Sequence, residues 1–459
     1  MDKASYLRRF ILLFFCVLLL FSPLFFGSVR SWVQTCFSLL IFTSCLVFVL
    51  YNLKTGNTRF SVTPIGWSLI ILSVYIVIQV IPLPSQFLAY ISPQKIRLLS
   101  TIDNVTKNIA ITVYRYASVE ELVRILSYLF VFFLTINFCK TEKEIGFVLI
   151  TIIGIGSFEA LYGLYEWGIG RQHIFLYKKV HHLQSVTGTF INRNHFALYM
   201  VLSFFVSLGY LFYYRFQKMQ RSLKEVLLFS DRRSLIFIVL ILATMIMGIT
   251  VFLTLSRGGI FSFFIALLCM FVFLRLKSSK KQYEWVILLF IVVLVLLVFF
   301  MGMDPLLKRF QLLEDQFVED YLRFTIWYDT LEIVRNFPLL GTGAGTYPYI
   351  FRLFQTITDY KFLPTHAHND FLEILSDYGI IGFLVITVGF LLFFIKQIKL
   401  LKKRRNPAVK RLGAALFAAC IAVLIHSFFD FGLRIPANAY LFFVILGLFY
   451  RVVRLDRKD

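Results

Sequence analysis

The stretch His366-Ala367-His368-Asn369-Asp370 sets two imidazoles two residues apart, with Glu373 and Asp377 following on the same helix-like piece. A neutral imidazole beside a carboxylate or carbonyl suits general base work, because its proton affinity lies near the operating pH and the partner orients the ring. HxH near carboxylates is also compatible with a metal. Residues two apart face different sides of a helix, however, and no HExxH or third histidine is near, so zinc is the weaker reading and no metal is expected. Helix capping is the bland alternative for either histidine.

Candidate cations lie elsewhere in the chain. Arg257, in Leu255-Ser256-Arg257-Gly258-Gly259, falls between two apolar runs. An arginine at such a boundary can be a snorkelling anchor, whereas two following glycines favour close approach of a ligand to backbone and guanidinium. Arg323 and Trp327 are four apart and share a helix face. They suit either an interfacial helix with a cation–π pair or a functional pair. Asn192, Arg193, Asn194 and His195 sit where a helix starts, a place that favours anions through free backbone amides and that capping explains equally well. Gly341–Gly345, GTGAG, reads as a turn ahead of a phosphate nest. His426, Asp430 and Arg434 recur every four residues at the end of an apolar run, where they extend the same cavity or pair with one another.

The elements that must position these groups are made of oil. Of 459 residues 59% are hydrophobic, 18% aromatic and 16% charged, a balance a soluble domain would expose at great cost. Apolar runs fall at about 10–26, 32–51, 63–82, 119–138, 144–166, 194–214, 234–254, 258–275, 284–302, 379–398, 409–429 and 437–453. The fold expected is therefore all-α and polytopic, one membrane domain over 1–459 with about twelve transmembrane helices. The first run follows Lys3, Arg8 and Arg9 like a signal peptide but lacks a small-x-small cleavage site, so it is expected to remain as a span. The six cysteines lie in or beside apolar runs without a CxxC pair, which disfavours disulfides and thiolate metal sites.

Net charge of +22 raises nucleic acid as a partner, but the positions of the basic residues disfavour it. They crowd into alternate short loops: Arg215 to Arg233, Arg275 to Lys281, and eight residues between Lys396 and Arg411. That is the positive-inside pattern, with both termini cytoplasmic and the basic residues meeting anionic membrane lipids. Three outward segments are long, 83–118, 167–193 and 303–378, and the last is the largest. It carries Pro305, Pro338, Pro348 and Pro364 and helix-like pieces near 319–336 and 367–378.

Taken together, the motifs resemble a known family. His368-Asn369 followed by nine residues and Gly379-Ile380-Ile381-Gly382 resembles the H-N-x9-G-x-x-G signature of the bacterial O-antigen ligase and polymerase superfamily. Thr187 to His195 resembles its GTF-x-N-x-NH stretch, Ser256-Arg257-Gly258-Gly259 its SRGG, and Arg323 with Trp327 its R-x-x-x-W. The resemblance covers about 187–382 and includes the large loop, 303–378, which it implies is periplasmic. It implies an inverting glycosyltransferase of the bacterial inner membrane that moves a glycan from undecaprenyl pyrophosphate to an acceptor hydroxyl, on lipid A-core or similar, without nucleotide sugar, metal or other cofactor. It also implies His368 as base for the acceptor and Arg257 and Arg323 as the pyrophosphate clamp. Substrate contacts are expected from Asn192, Arg193, Asn194, His195, His366, Asn369, Trp327 and Arg434. The alternatives are a polysaccharide polymerase with a second lipid-linked glycan as acceptor and, less favoured, a flippase for the same lipid.

Overall fold

The structure is a computed structural model that describes residues 3–100, 107–218, 231–275, 313–356 and 364–455. Eleven of the twelve expected apolar runs are helices in it, as they must be if lipid offers no partner for backbone amides. They are α1 (Lys3–Leu24), α2 (Ser31–Lys54), α3 (Pro64–Val80), α6 (Arg115–Phe138), α7 (Glu142–Gly168), α8 (Arg193–Lys218), α9 (Arg232–Leu253), α10 (Arg257–Arg275), α13 (Asp370–Lys403), α14 (Pro407–His426) and α15 (Pro436–Val452). Two short helices, α4 (Ser85–Ile91) and α5 (Pro93–Ser100), lie between α3 and α6. The run at 284–302 lies outside the described residues. Eight of the described helices are long and apolar enough to cross a membrane, while α3 and α15 are shorter apolar helices. Helix α6 spans 24 residues but starts with Arg115, Glu120, Glu121 and Arg124, which the packing below puts to use. The molecule is thus an all-α polytopic membrane protein. Its described strands form only two short antiparallel pairs, Pro82–Pro84 with Asn108–Ala110 and His173–Ile174 with Tyr177–Lys178.

Local chemistry starts these helices. Thr141 and Glu144 close a reciprocal capping box on α7, Asp231 accepts from the Ser234 amide on α9, and Asn406 precedes Pro407 on α14. Small residues then set the packing. Gly209 of α8 lies against Ala415 of α14, where an added Cβ would come within 2.7 Å of the alanine Cβ. Helices α8 and α15 are enclosed almost completely, whereas α2 shows Trp32, Leu39, Leu46 and Leu50 to the outside and α13 shows Leu384, Val388 and Leu391, a surface fit for lipid tails.

Two ends of the bundle differ. At one end α7, α9 and α14 finish and α8, α10, α13 and α15 begin, joined by contacts such as Val186 N to Leu253 O at 3.0 Å and Asp370 N to Ser427 O at 2.9 Å. The opposite end carries Arg8 on Glu144 at 3.2 Å, Arg454 on Gln397 at 2.6 Å, and the basic residues Arg215, Arg232, Arg233, Lys402 and Lys403.

The large loop packs as its own small core over the first end. Helix α11 (Leu313–Asn336) and the short α12 (Tyr347–Ile350) bury Ile326, Ile333, Phe337, Tyr347, Ile350 and Phe351 around Ala367. The helix expected at 367–378 and the span expected at 379–398 prove to be one element, α13, broken only at Gly379 with φ 62° and ψ −172°. The break is imposed by the 338–345 segment. Ile380 N bonds Pro338 O at 2.9 Å, and a Cβ on Gly379 would come within 2.3 Å of Leu339 O.

Candidate active site

The site forms where α13, α14 and α15 meet α8 and α10. Asn369 caps α13 by accepting from the Phe371 and Leu372 amides at 3.0 and 3.1 Å. The residue before it, His368, takes φ 49°, a left-handed conformation costly for a residue with a Cβ. That turn aims its ring away from the helix. The loop is held from outside by Trp327, whose indole Nε1 donates to Ala367 O at 3.0 Å, between the two histidines. Arg323, one turn earlier on the same face of α11, lies within electrostatic reach of His426 at the end of α14. The R-x-x-x-W pattern therefore delivers a fastening and a cation to the same place.

Each imidazole has a different carboxylate. His368 Nδ1 lies 3.3 Å from Asp430 Oδ1, and His366 Nδ1 lies 2.9 Å from Glu373 Oε1. A carboxylate can only accept, so in both rings Nδ1 carries the proton and Nε2 is left as a base. Both histidine side chains are 27% exposed while their partners are buried, so the imidazoles are partly accessible and the orienting groups are not. Phe431 fixes the rings: it stacks on His366 at 4.2 Å and meets His368 and His195 edge-on at 4.9 and 4.7 Å.

The two carboxylates are not equivalent. Glu373 Oε1 is also bound by Arg434 Nε at 3.0 Å, and its Oε2 accepts from the Ala367 amide at 3.0 Å. Asp430 faces imidazoles instead: His368, His195 Nε2 at 3.8 Å from Oδ2, and His426 nearby. Burial works against the charged form of Asp430, yet the hydrogen bond from His368 and the charge of His195 and His426 outweigh it and hold the carboxyl well below its ordinary range. His368 thus has a carboxylate whose charge no guanidinium or ammonium among the described ion pairs answers.

Arg434, expected either to extend the substrate cavity or to pair internally, is engaged by protein carboxylates. Its guanidinium binds Glu121 at 2.7 Å, Glu373 at 3.0 Å and Asp377 at 2.9 Å, and is nearly buried. Burial opposes its charge, but the three carboxylates hold the proton more tightly than usual. Tyr378 adds a hydroxyl to Glu121 at 3.0 Å and Arg124 adds a second cation at 2.8 Å. The fourfold recurrence of His426, Asp430 and Arg434 is not a helix face either. Helix α14 ends at His426, and the following turn sends Asp430 toward His368 and Arg434 toward α6 and α13.

The GTGAG segment is a turn, and its amides are engaged. Thr342 N bonds Ser376 O, Gly343 N bonds Asp377 O, Ala344 N bonds Gln79 Oε1 and Gly345 N bonds Asp377 Oδ2, all between 2.9 and 3.1 Å. No phosphate nest is formed by these groups.

The polar run before α8 is mostly scaffold as well. Asn192 caps the helix through the Asn194 amide at 2.8 Å, and Asn194 accepts from Ser256 Oγ at 2.8 Å, tying the run to the SRGG turn. Gly258 and Gly259 clear space for protein, not ligand: a Cβ would lie 3.2 Å from Phe429 Cβ in the first case and 2.6 Å from Ala197 Cβ in the second. This closeness seats Arg257, half-buried at the start of α10, beside the turn that continues into Asp430. Arg193 is likewise half-buried at the start of α8, and His195 is buried. His368, His366, Asn369, Trp327, Arg323, Arg257, Asn194 and His195 therefore converge on one end of the bundle.

Asp430 was legible only as one member of a polar cluster, and Phe431 and Glu121 gave no signal. The family model described as O-Antigen ligase matches residues 242–387, a stretch that includes Arg257, Arg323, Trp327, His366, His368 and Asn369 and stops short of Asp430. A comparison with curated proteins finds no match. The chain is thus a polytopic membrane protein whose residues 242–387, about a third of its length, match the O-Antigen ligase family model.

Proposed function

We propose that the chain is a glycosyltransferase of the inner membrane that moves a glycan from undecaprenyl pyrophosphate to an acceptor hydroxyl on lipid A-core or a similar glycolipid. The observation that carries this reading is the pair His368–Asp430 at 3.3 Å, with the imidazole partly exposed and the carboxylate buried. Asp430 fixes the tautomer and steadies the imidazolium, and His368 Nε2 removes the acceptor proton. The oxygen attacks the anomeric carbon as the bond to the pyrophosphate breaks, so the configuration inverts. Arg257 and Arg323 hold the departing phosphates, since a planar guanidinium makes paired charged hydrogen bonds that strengthen as negative charge develops. The leaving group is good without further activation, so no metal or cofactor is required by this scheme.

Basic residues gather at the bundle end opposite His368, which supports a periplasmic site and cytoplasmic termini. Reporter fusions at 215–233 and within 303–378 test this orientation, and a cytoplasmic signal from the second would refute it.

The chemistry is tested with purified protein in liposomes supplied with undecaprenyl-pyrophosphate glycan and either lipid A-core or a second donor. Transfer to lipid A-core is expected. Lengthened donor would make the enzyme a polymerase, which needs the same clamp and base, and lipid crossing without product would make it a flippase. His368→Ala is expected to lower turnover on the order of 10³-fold while the protein still inserts. Turnover at the wild-type level in that variant would remove His368 from the mechanism.

A further inference from the structure

Asp430 is 1% exposed, yet its two oxygens are treated differently. Oδ1 receives His368 Nδ1, whereas Oδ2 is buried without a hydrogen-bond partner and faces His195 Nε2 at 3.8 Å, itself buried without one. A buried carboxylate with a single hydrogen bond is an expensive arrangement. A carboxylate turns about its Cβ–Cγ bond, and a donor on one oxygen leaves the other free to swing, so the aim of Oδ1 depends on what meets Oδ2.

His195 is placed to meet it. Its own position is over-determined: Phe431 packs edge-on against the ring at 4.7 Å, Asn438 Nδ2 donates to His195 O at 3.1 Å, and the preceding Asn194 is tied to Ser256. The ring cannot serve the acceptor directly, because its Nε2 is shut from solvent behind Asp430. Other groups that face Asp430 are His368 from the loop before α13, His426 from the end of α14 and Asp370 at the start of α13, and Arg323 lies within electrostatic reach of His426.

We infer that His195 is a positioning residue, whose Nε2–H steadies Asp430 Oδ2 and so keeps Oδ1 aimed at the base His368; this replaces the substrate contact expected of His195 and rests on the transferase reading above. As His368 takes the acceptor proton, the Asp430 charge is shared between two imidazoles. No proton has to move from Asp430 for this to help. The gain is a base that holds one tautomer and one rotamer through the reaction.

The test compares His195→Gln with His195→Asn in the liposome assay. A glutamine amide nitrogen reaches the place of Nε2, while the asparagine amide falls short of it. Glutamine is expected to keep kcat within about threefold of wild type and asparagine to lose about ten- to a hundredfold, the range for removing a group that orients another, with donor KM unchanged in both. In an Asp430→Asn background, His195→Asn is expected to add little, because the path through Asp430 is already gone. Equal losses in the glutamine and asparagine variants, a raised donor KM at constant kcat, or fully multiplicative losses in the double variant would each overturn the assignment. Thermal unfolding in detergent separates these outcomes from misfolding, and a variant that melts as wild type does while losing kcat supports the positioning role. Failure of the transferase reading registers separately, as wild-type protein that makes no glycan product.

Discussion

Asp430 and Arg434 are four positions apart, yet each centres a buried polar cluster of opposite design. Around Asp430 one carboxylate faces the imidazoles of His368, His195 and His426. Around Arg434 one guanidinium holds Glu121, Glu373 and Asp377. The second cluster is permanent, since arginine does not release its proton in proteins, and it clamps α6 and α13 to the turn before α15. The first sets a carboxylate among imidazoles, side chains whose ring nitrogens can either donate or accept a proton. One turn thus anchors the bundle with its far end and, in the proposed mechanism, orients the base with its near end. The difference also supports the proposed choice of His368 over His366 as base: Glu373 divides its charge between His366, a backbone amide and Arg434, whereas Asp430 answers imidazoles.

The largest effect is expected where permanence is removed. Arg434→Met leaves three carboxylates without their shared cation and is expected to cost about 3–5 kcal/mol of stability, read as thermal unfolding in detergent; Arg434→Lys restores only part, because an ammonium lacks the fork. A wild-type melting temperature for Arg434→Met would erase the distinction between the clusters. Asp430→Asn comes next. It is expected to lower kcat on the order of 10²-fold with little change in melting, since the wrong partner for Nδ1–H spoils the tautomer but a neutral amide is tolerated by its surroundings. Trp327→Phe keeps the packing and loses the bond to Ala367 O, for an expected fall in kcat of about tenfold as the histidine loop loosens. The smallest effect is expected for His366→Gln, within about threefold, because Glu373 keeps Arg434 and the Ala367 amide. A loss for His366→Gln as deep as that for His368→Ala would exchange the roles of the two imidazoles.

Several parts of the molecule are legible in its residues alone. Apolar length locates eleven helices that the structure contains, because membrane helices answer to lipid thickness and to their own backbone, both of which are local. The caps at Thr141, Asp231 and Asn406 are local too. His368, Arg257 and Arg323 stand out only through the set of motifs they belong to, because capping, snorkelling or an interfacial helix accounts for each of them alone. By contrast the glycines of SRGG stand where neighbouring side chains press, at Ala197 and Phe429, while those of GTGAG form the turn read from the sequence, with Gly341 pressed by the Asp377 backbone.

What the sequence determined by itself is the class of protein, the placement of its helices and the residue types able to do chemistry, all set by patterns within a few turns of chain. Only the tertiary structure decided which groups work together. His368 and Asp430 are 62 residues apart, and Arg434 and Glu121 are 313 apart. Nothing in local spacing distinguishes a carboxylate that orients a base from one that answers an arginine. The break at Gly379 was decided in the same way, by the Leu339 carbonyl that leaves no room for a Cβ. Partner choice in a buried cluster follows from which helices pack, because the cost of leaving a charge or an amide unmet is set by its surroundings and not by its own residue type.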